Sequence, residues 1–125
     1  MEKTEAQEQA VIFQWASYNY GKYPELEKLM FSIPNGSLRN KMVAVKLRRE
    51  GVKAGTSDFT IQVPRCGYHG LWIELKAEKG RKQDNQVEFI DAIRKQGYYA
   101  DFVFGADDAI QLIQKYMDGK IRRQL

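Results

Sequence analysis

Two neighbouring runs decide the fold: Asp58-Phe59-Thr60-Ile61-Gln62-Val63 and Leu71-Trp72-Ile73-Glu74-Leu75-Lys76-Ala77. The first is rich in β-branched and aromatic residues and ends at Pro64, which removes a ladder donor, so it predicts a strand with Asp58 at its edge. The second alternates, with Leu71, Ile73, Leu75 and Ala77 on one face and Trp72, Glu74 and Lys76 on the other. The intervening Arg65-Cys66-Gly67-Tyr68-His69-Gly70 is tight loop chemistry, and the two strands predict a β-hairpin.

Outward from this hairpin, the apolar spacing over Thr4 to about Tyr18 predicts a first helix capped by Thr4. Glu25 to Met30 predicts a short helical turn, and Leu29 to Ile33 a short strand. Pro34-Asn35-Gly36-Ser37 is turn sequence, with Ser37 as a cap for a basic helix running to about Glu50 and stopped by Gly51. Beyond the hairpin, Gln83 to Gln96 predicts a helix with Val87, Ile90, Ile93 and Phe89 as its buried stripe. Tyr98 to Phe104 predicts a strand, and Ala106 to Met117 a last helix. The order αβαββαβα predicts an α/β fold, a mixed central sheet flanked by helices, within a single domain over residues 1–125.

Composition agrees: 43% hydrophobic and 29% charged residues describe a globular chain. No apolar stretch is long enough to span a bilayer and MEKTEAQEQ lacks a signal-peptide pattern, so a cytoplasmic chain is expected. Cys66 has no partner for a disulfide, and one histidine, His69, excludes a Cys/His zinc site. The net charge of +4 is unevenly placed: Arg39, Lys41, Lys46, Arg48, Arg49 and Lys53 stand against Glu50 alone, and Lys79, Arg81 and Lys82 follow the hairpin. Such clustering suits a polyanion, although a basic run is also what a solvated helix face looks like.

A solvated strand face accounts for Glu74-x-Lys76 taken alone. Asp58, sixteen residues before Glu74 and on the partner strand, adds a second carboxylate at the same place. Two adjoining carboxylates repel unless one is protonated or a hard cation lies between them, which points to Mg²⁺ or Mn²⁺. With that charge present, Lys76 can orient or deprotonate an attacking water or offset charge on a phosphoryl transition state.

The pattern Asp58…Glu74-Leu75-Lys76 resembles the PD-(D/E)XK nuclease core. Gly51-Val52-Lys53-Ala54-Gly55-Thr56-Ser57-Asp58, Gly70 to Lys76, Gln86 and Gly97-Tyr98 together resemble the virus-type replication-repair nuclease family, VRR-NUC, over nearly the whole chain. Ser57 replaces the proline of the superfamily's name, at a position that is not a ligand. The resemblance implies metal ligation by Asp58, Glu74 and the Leu75 backbone carbonyl, catalysis by Lys76, a glutamine at Gln86 near the site, and an acid from the first helix. Glu5, with Gln9 four residues on, fits that last pattern, and Glu8 is its rival. Standalone, commonly phage-encoded members resemble dimeric nucleases acting on branched DNA such as Holliday junctions. The resemblance therefore implies a homodimeric, metal-dependent endodeoxyribonuclease in replication, recombination or repair.

Bases near the hairpin, namely Lys53, Arg39, Lys41, Lys79, Arg81 and Lys82, are expected to contact phosphates. A non-catalytic DNA-binding protein with the same basic surface is the alternative. Trp72 is expected to pack, not to stack on a base, and Tyr18, Tyr20 and Tyr23 to close the core or an interface. His69 is expected to be an exposed loop residue and Cys66 inert.

Overall fold

The computed structural model describes residues 2–34 and 40–122. Among these residues five helices and four strands follow one another: α1 (Glu5–Tyr18), α2 (Leu26–Leu29), β1 (Met30–Ser32), α3 (Lys41–Arg49), β2 (Phe59–Ile61), β3 (Leu71–Lys76), α4 (Asp84–Lys95), β4 (Tyr99–Phe104) and α5 (Ala106–Met117). Thr4 caps α1 through a capping box with Gln7, satisfying N–H groups that the first turn leaves without partners. The expected Ser37 cap and Arg39 lie outside the described residues. The cap of α3 is Asn40, whose side chain accepts from the N–H groups of Met42 and Val43.

One sheet runs β1-β2-β3-β4. β1 and β2 are antiparallel, β2 and β3 form the expected antiparallel hairpin, and β3 and β4 are parallel, joined by α4. β2 is shorter than the sequence predicts. Asp58 at its start and Gln62 and Val63 at its end fall outside it, and the Asp58 side chain accepts the Leu75 N–H at 2.7 Å.

Strand alternation sends Leu71, Ile73 and Leu75 into a core built with Phe59, Ile61 and Val103 of the sheet, Ile12 and Ala16 of α1, and Ala109, Ile113 and Tyr116 of α5. On the Trp72 side lies α4. Trp72 packs edge-on against Phe89 and Tyr98, with ring centroids 5.4 and 6.3 Å apart, so it is a packing residue as expected. Val87, predicted in the buried stripe of α4, is instead exposed, since Ile90 with half-buried Phe89 and Ile93 fills the narrow contact with the sheet. Tyr23 closes the core as expected, whereas Tyr18, at the end of α1, points to solvent at 79% exposure. Among the described residues no helix is long and apolar enough to cross a membrane.

Register and direction give the sheet two distinct ends. β3 and β4 both finish at one end, where α5 begins and where β1 leaves and β2 enters. At the other end lies the hairpin connection, held to the C-terminus of α5 by hydrogen bonds from the Tyr116 hydroxyl to the Val63 carbonyl (2.6 Å) and from Arg65 Nε to the Met117 carbonyl (3.4 Å).

Candidate active site at the open end of the hairpin

The β2–β3 register pairs Phe59 with Ile73, Thr60 with Trp72 and Ile61 with Leu71, and its continuation sets Asp58 against Glu74. Their proximity is thus a consequence of strand pairing. Asp58 is held from three directions: its N–H donates to the Ile73 carbonyl (3.1 Å), its carbonyl accepts from Ile33 (2.8 Å), and its carboxylate accepts from Leu75. The loop before it is fixed by Gly55, at φ +85°, where an added Cβ would stand 2.8 Å from the Asn85 carbonyl oxygen. The first turn of α4, carrying Gln86, therefore sits directly on the segment that leads to Asp58.

Glu74 is only 2% exposed, and its Oε2 has no hydrogen-bond partner among the described residues. Its carboxyl is pushed up to about 9, first by burial and then by the adjacent Asp58, which favours a proton on Glu74 by hydrogen bonding and by charge. The Lys76 charge pulls the other way, and Glu5 adds a smaller upward push. Lys76, two residues on along the same face, is 5% exposed, and the turn at 77–80 lies over its stem: an added Cβ at Gly80 would stand 3.2 Å from the Lys76 Cβ. A buried ammonium two residues from a buried carboxyl is not the solvated strand face that Glu74-x-Lys76 alone permits.

Carbonyl directions along β3 follow from the same alternation. The Gly70 and Lys76 carbonyls accept from Tyr99 and Gly105 on the β4 side, so those of Leu71, Ile73 and Leu75 face β2. β2 begins at Phe59, opposite Ile73, and the Leu75 carbonyl therefore faces the space beyond the strand end, beside Asp58.

Helix α1 supplies both candidate acids, in different situations. Glu8 is occupied: its Oε2 accepts from the Ala106 N–H at 2.7 Å and caps α5. Glu5 is exposed and close enough to influence Glu74 by charge, yet among the described residues no three Asp, Glu, His or Cys side chains form a ready metal cluster. Gln86 is half-buried, and its Oε1 accepts from the Gln83 N–H in the capping box of α4. Sequence reading missed the capping role of Glu8. Ser57, set aside in the sequence as a position that is not a ligand, is 1% exposed beside Asp58, with its hydroxyl unpartnered among the described residues.

The candidate phosphate contacts differ in freedom. Lys41, Lys53 and Arg81 are exposed, with no ion pair among the described residues. Lys79 meets Glu2 at 3.8 Å, a solvated pair of little consequence, and Lys82 lies over the Phe102 ring at 4.8 Å.

The sequence matches the VRR-NUC domain over residues 2–107. The chain belongs to the VRR-NUC family. A solved structure described as a VRR_NUC domain protein superposes with a TM-score of 0.79 at 28% identity, covering 100% of both chains. No curated protein matches. As a VRR-NUC domain the chain has a nuclease-type fold, and its acid-acid-lysine group stands where β2 and β3 diverge.

Proposed function

We propose that this VRR-NUC protein is a divalent-metal-dependent endonuclease that hydrolyses DNA phosphodiester bonds. The observation that carries the reading is buried Glu74 beside half-buried Asp58 and buried Lys76, with one Glu74 oxygen left without a partner among the described residues. Such an orphan costs on the order of 1–3 kcal/mol unless something occupies the site. The donor set suits a hard cation: Asp58, Glu74 and the Leu75 carbonyl are oxygen ligands around one space, and Glu5 would approach from α1. Mg²⁺ or Mn²⁺ held there would supply positive charge for the phosphate oxygens and lower the pKa of water.

The chain's own groups have separable tasks. Asp58 is fixed by its three hydrogen bonds, so it orients the site without reorganisation. Lys76, desolvated and close to Glu74, holds the attacking water or offsets the charge that develops as the water oxygen bonds to phosphorus and the P–O ester bond breaks. Gln86 would bind a non-bridging oxygen or water through its amide N–H, its carbonyl oxygen being committed to the cap. Lys53, Lys41, Arg81, Lys79 and Lys82, with Arg39, would position the backbone around this centre.

We propose further that the substrate is branched DNA and the active species a homodimer. The edge strand β1 supports the homodimer: among the described residues it pairs with β2 alone and exposes Phe31 at 44%, a face suited to a partner copy. The test is incubation with a four-way junction, a flap and a matched duplex, each with Mg²⁺, Mn²⁺ or chelator. Metal-dependent cutting of the junction ahead of the duplex is expected. Equal cutting of all three removes the branch preference, and no cutting under any condition removes the nuclease.

A further inference from the structure

We infer that α3 is a docking helix that seats the DNA backbone beside the active site, an assignment that rests on the nuclease reading. α3 is nearly detached from the core: Ala44 is its one buried residue and Leu47 is half-buried, while Met42 is 85% and Val45 52% exposed. With Ala44 and Leu47 turned inward, helical spacing of three and four places Met42, Val45, Lys46 and Arg49 along the outward stripe, with Lys41 and Arg48 on its flank. None of these four cations has an ion pair among the described residues. A helix this short and weakly packed gains little from folding onto the sheet, so its charge has no structural partner to satisfy.

Its attachment points tether the helix to the site. The chain enters this excursion at Ile33, whose N–H donates to the Asp58 carbonyl, and returns through the loop at 50–57 to Asp58 itself. Both ends of the excursion are thus tied to the same catalytic residue. Duplex lying along the outward stripe would pair Lys46 and Arg49 with phosphates and set Met42 and Val45 against sugars, with the scissile bond toward Asp58.

The experiment is DNA binding by the full chain in chelator, over a series of salt concentrations, for wild type, Lys46→Ala/Arg49→Ala and Lys115→Ala/Lys120→Ala. Alanine preserves helicity at both α3 positions. The α3 variant is expected to reduce the slope of log K against log salt by about 1.8, since each phosphate that is no longer neutralised lowers it by about 0.9. The control pair lies at the far end of α5 and should leave the slope as in wild type. An unchanged slope in the α3 variant overturns the inference while wild-type cutting keeps the nuclease reading. Absence of DNA binding by wild type overturns the inference, and absence of wild-type cutting with Mg²⁺ or Mn²⁺ overturns the nuclease reading with it. If the stripe seats a second copy instead, Met42→Ser will convert dimer to monomer by light scattering and the α3 slope will stay unchanged, which also overturns it.

Discussion

Glu74 meets two opposing demands. Burial and Asp58 keep a proton on it up to about 9, whereas a ligand to a cation must be deprotonated. Filling the proposed site at pH 7 should therefore expel about one proton per ion, read as different apparent enthalpies in two buffers of unlike ionisation heat. The same shift sets the stability of the metal-free protein. Unfolded Glu74 releases its proton near 4.5 and folded Glu74 near 9, so the folded state binds more protons between these values. Metal-free stability should fall as pH rises through that window, and Glu74→Gln should flatten the dependence; a slope unchanged by Glu74→Gln would assign it to another group. The two α1 acids separate by the same reasoning. Glu8→Ala should lower stability by about 1 kcal/mol through loss of the α5 cap and leave folded-state cleavage intact, while Glu5→Ala should slow cleavage with little change in melting. Lys76→Ala, folded by circular dichroism, should cut DNA at least about 100-fold more slowly.

Elements are coupled through a few close approaches. Gly55→Ala forces a side chain into a left-handed backbone and against the Asn85 carbonyl, a rigid neighbour. We expect a loss of about 1–3 kcal/mol in denaturant unfolding and a larger fall in cleavage, because the strained loop ends at Asp58. If stability falls and turnover per folded molecule does not, the loop is not what positions Asp58. At the opposite end, Tyr116→Phe removes the buried hydrogen bond to Val63 and should cost about 1.5 kcal/mol without altering turnover, since that contact ties α5 to the closed end of the hairpin.

The whole molecule is polarised. Strand ends, α3 and the loops of Lys53 and Arg81 gather at one end, and the hairpin connection with the C-terminus of α5 occupies the other. One proposed catalytic group on so small a basic surface fits cutting of one strand, and paired nicks across a symmetric junction would require a second copy. Cleavage per site should accordingly fall on dilution below the dimer dissociation constant, with loss of second-strand nicking first; concentration-independent double nicking would show a monomer acting twice.

Sequence periodicity and turn chemistry alone determined the hairpin and the limits of α4 and α5, because both are local properties of the chain. The proposal of Asp58, Glu74 and Lys76 as the site drew also on carboxylate pairing across the hairpin and on the family resemblance. The VRR-NUC resemblance was legible for a related reason, since most of its motif lies within one hairpin and the loop before it, with Gln86 and Gly97-Tyr98 following in order. Only the tertiary structure separated Glu8 from Glu5, because a cap on α5 made from α1 joins residues far apart in the chain. Likewise, no local pattern shows that Glu74 and Lys76 are buried, or that Val87 and Tyr18 are not. Burial depends on what covers a face, and here the turn over Lys76 and the narrow seat of α4 decide it.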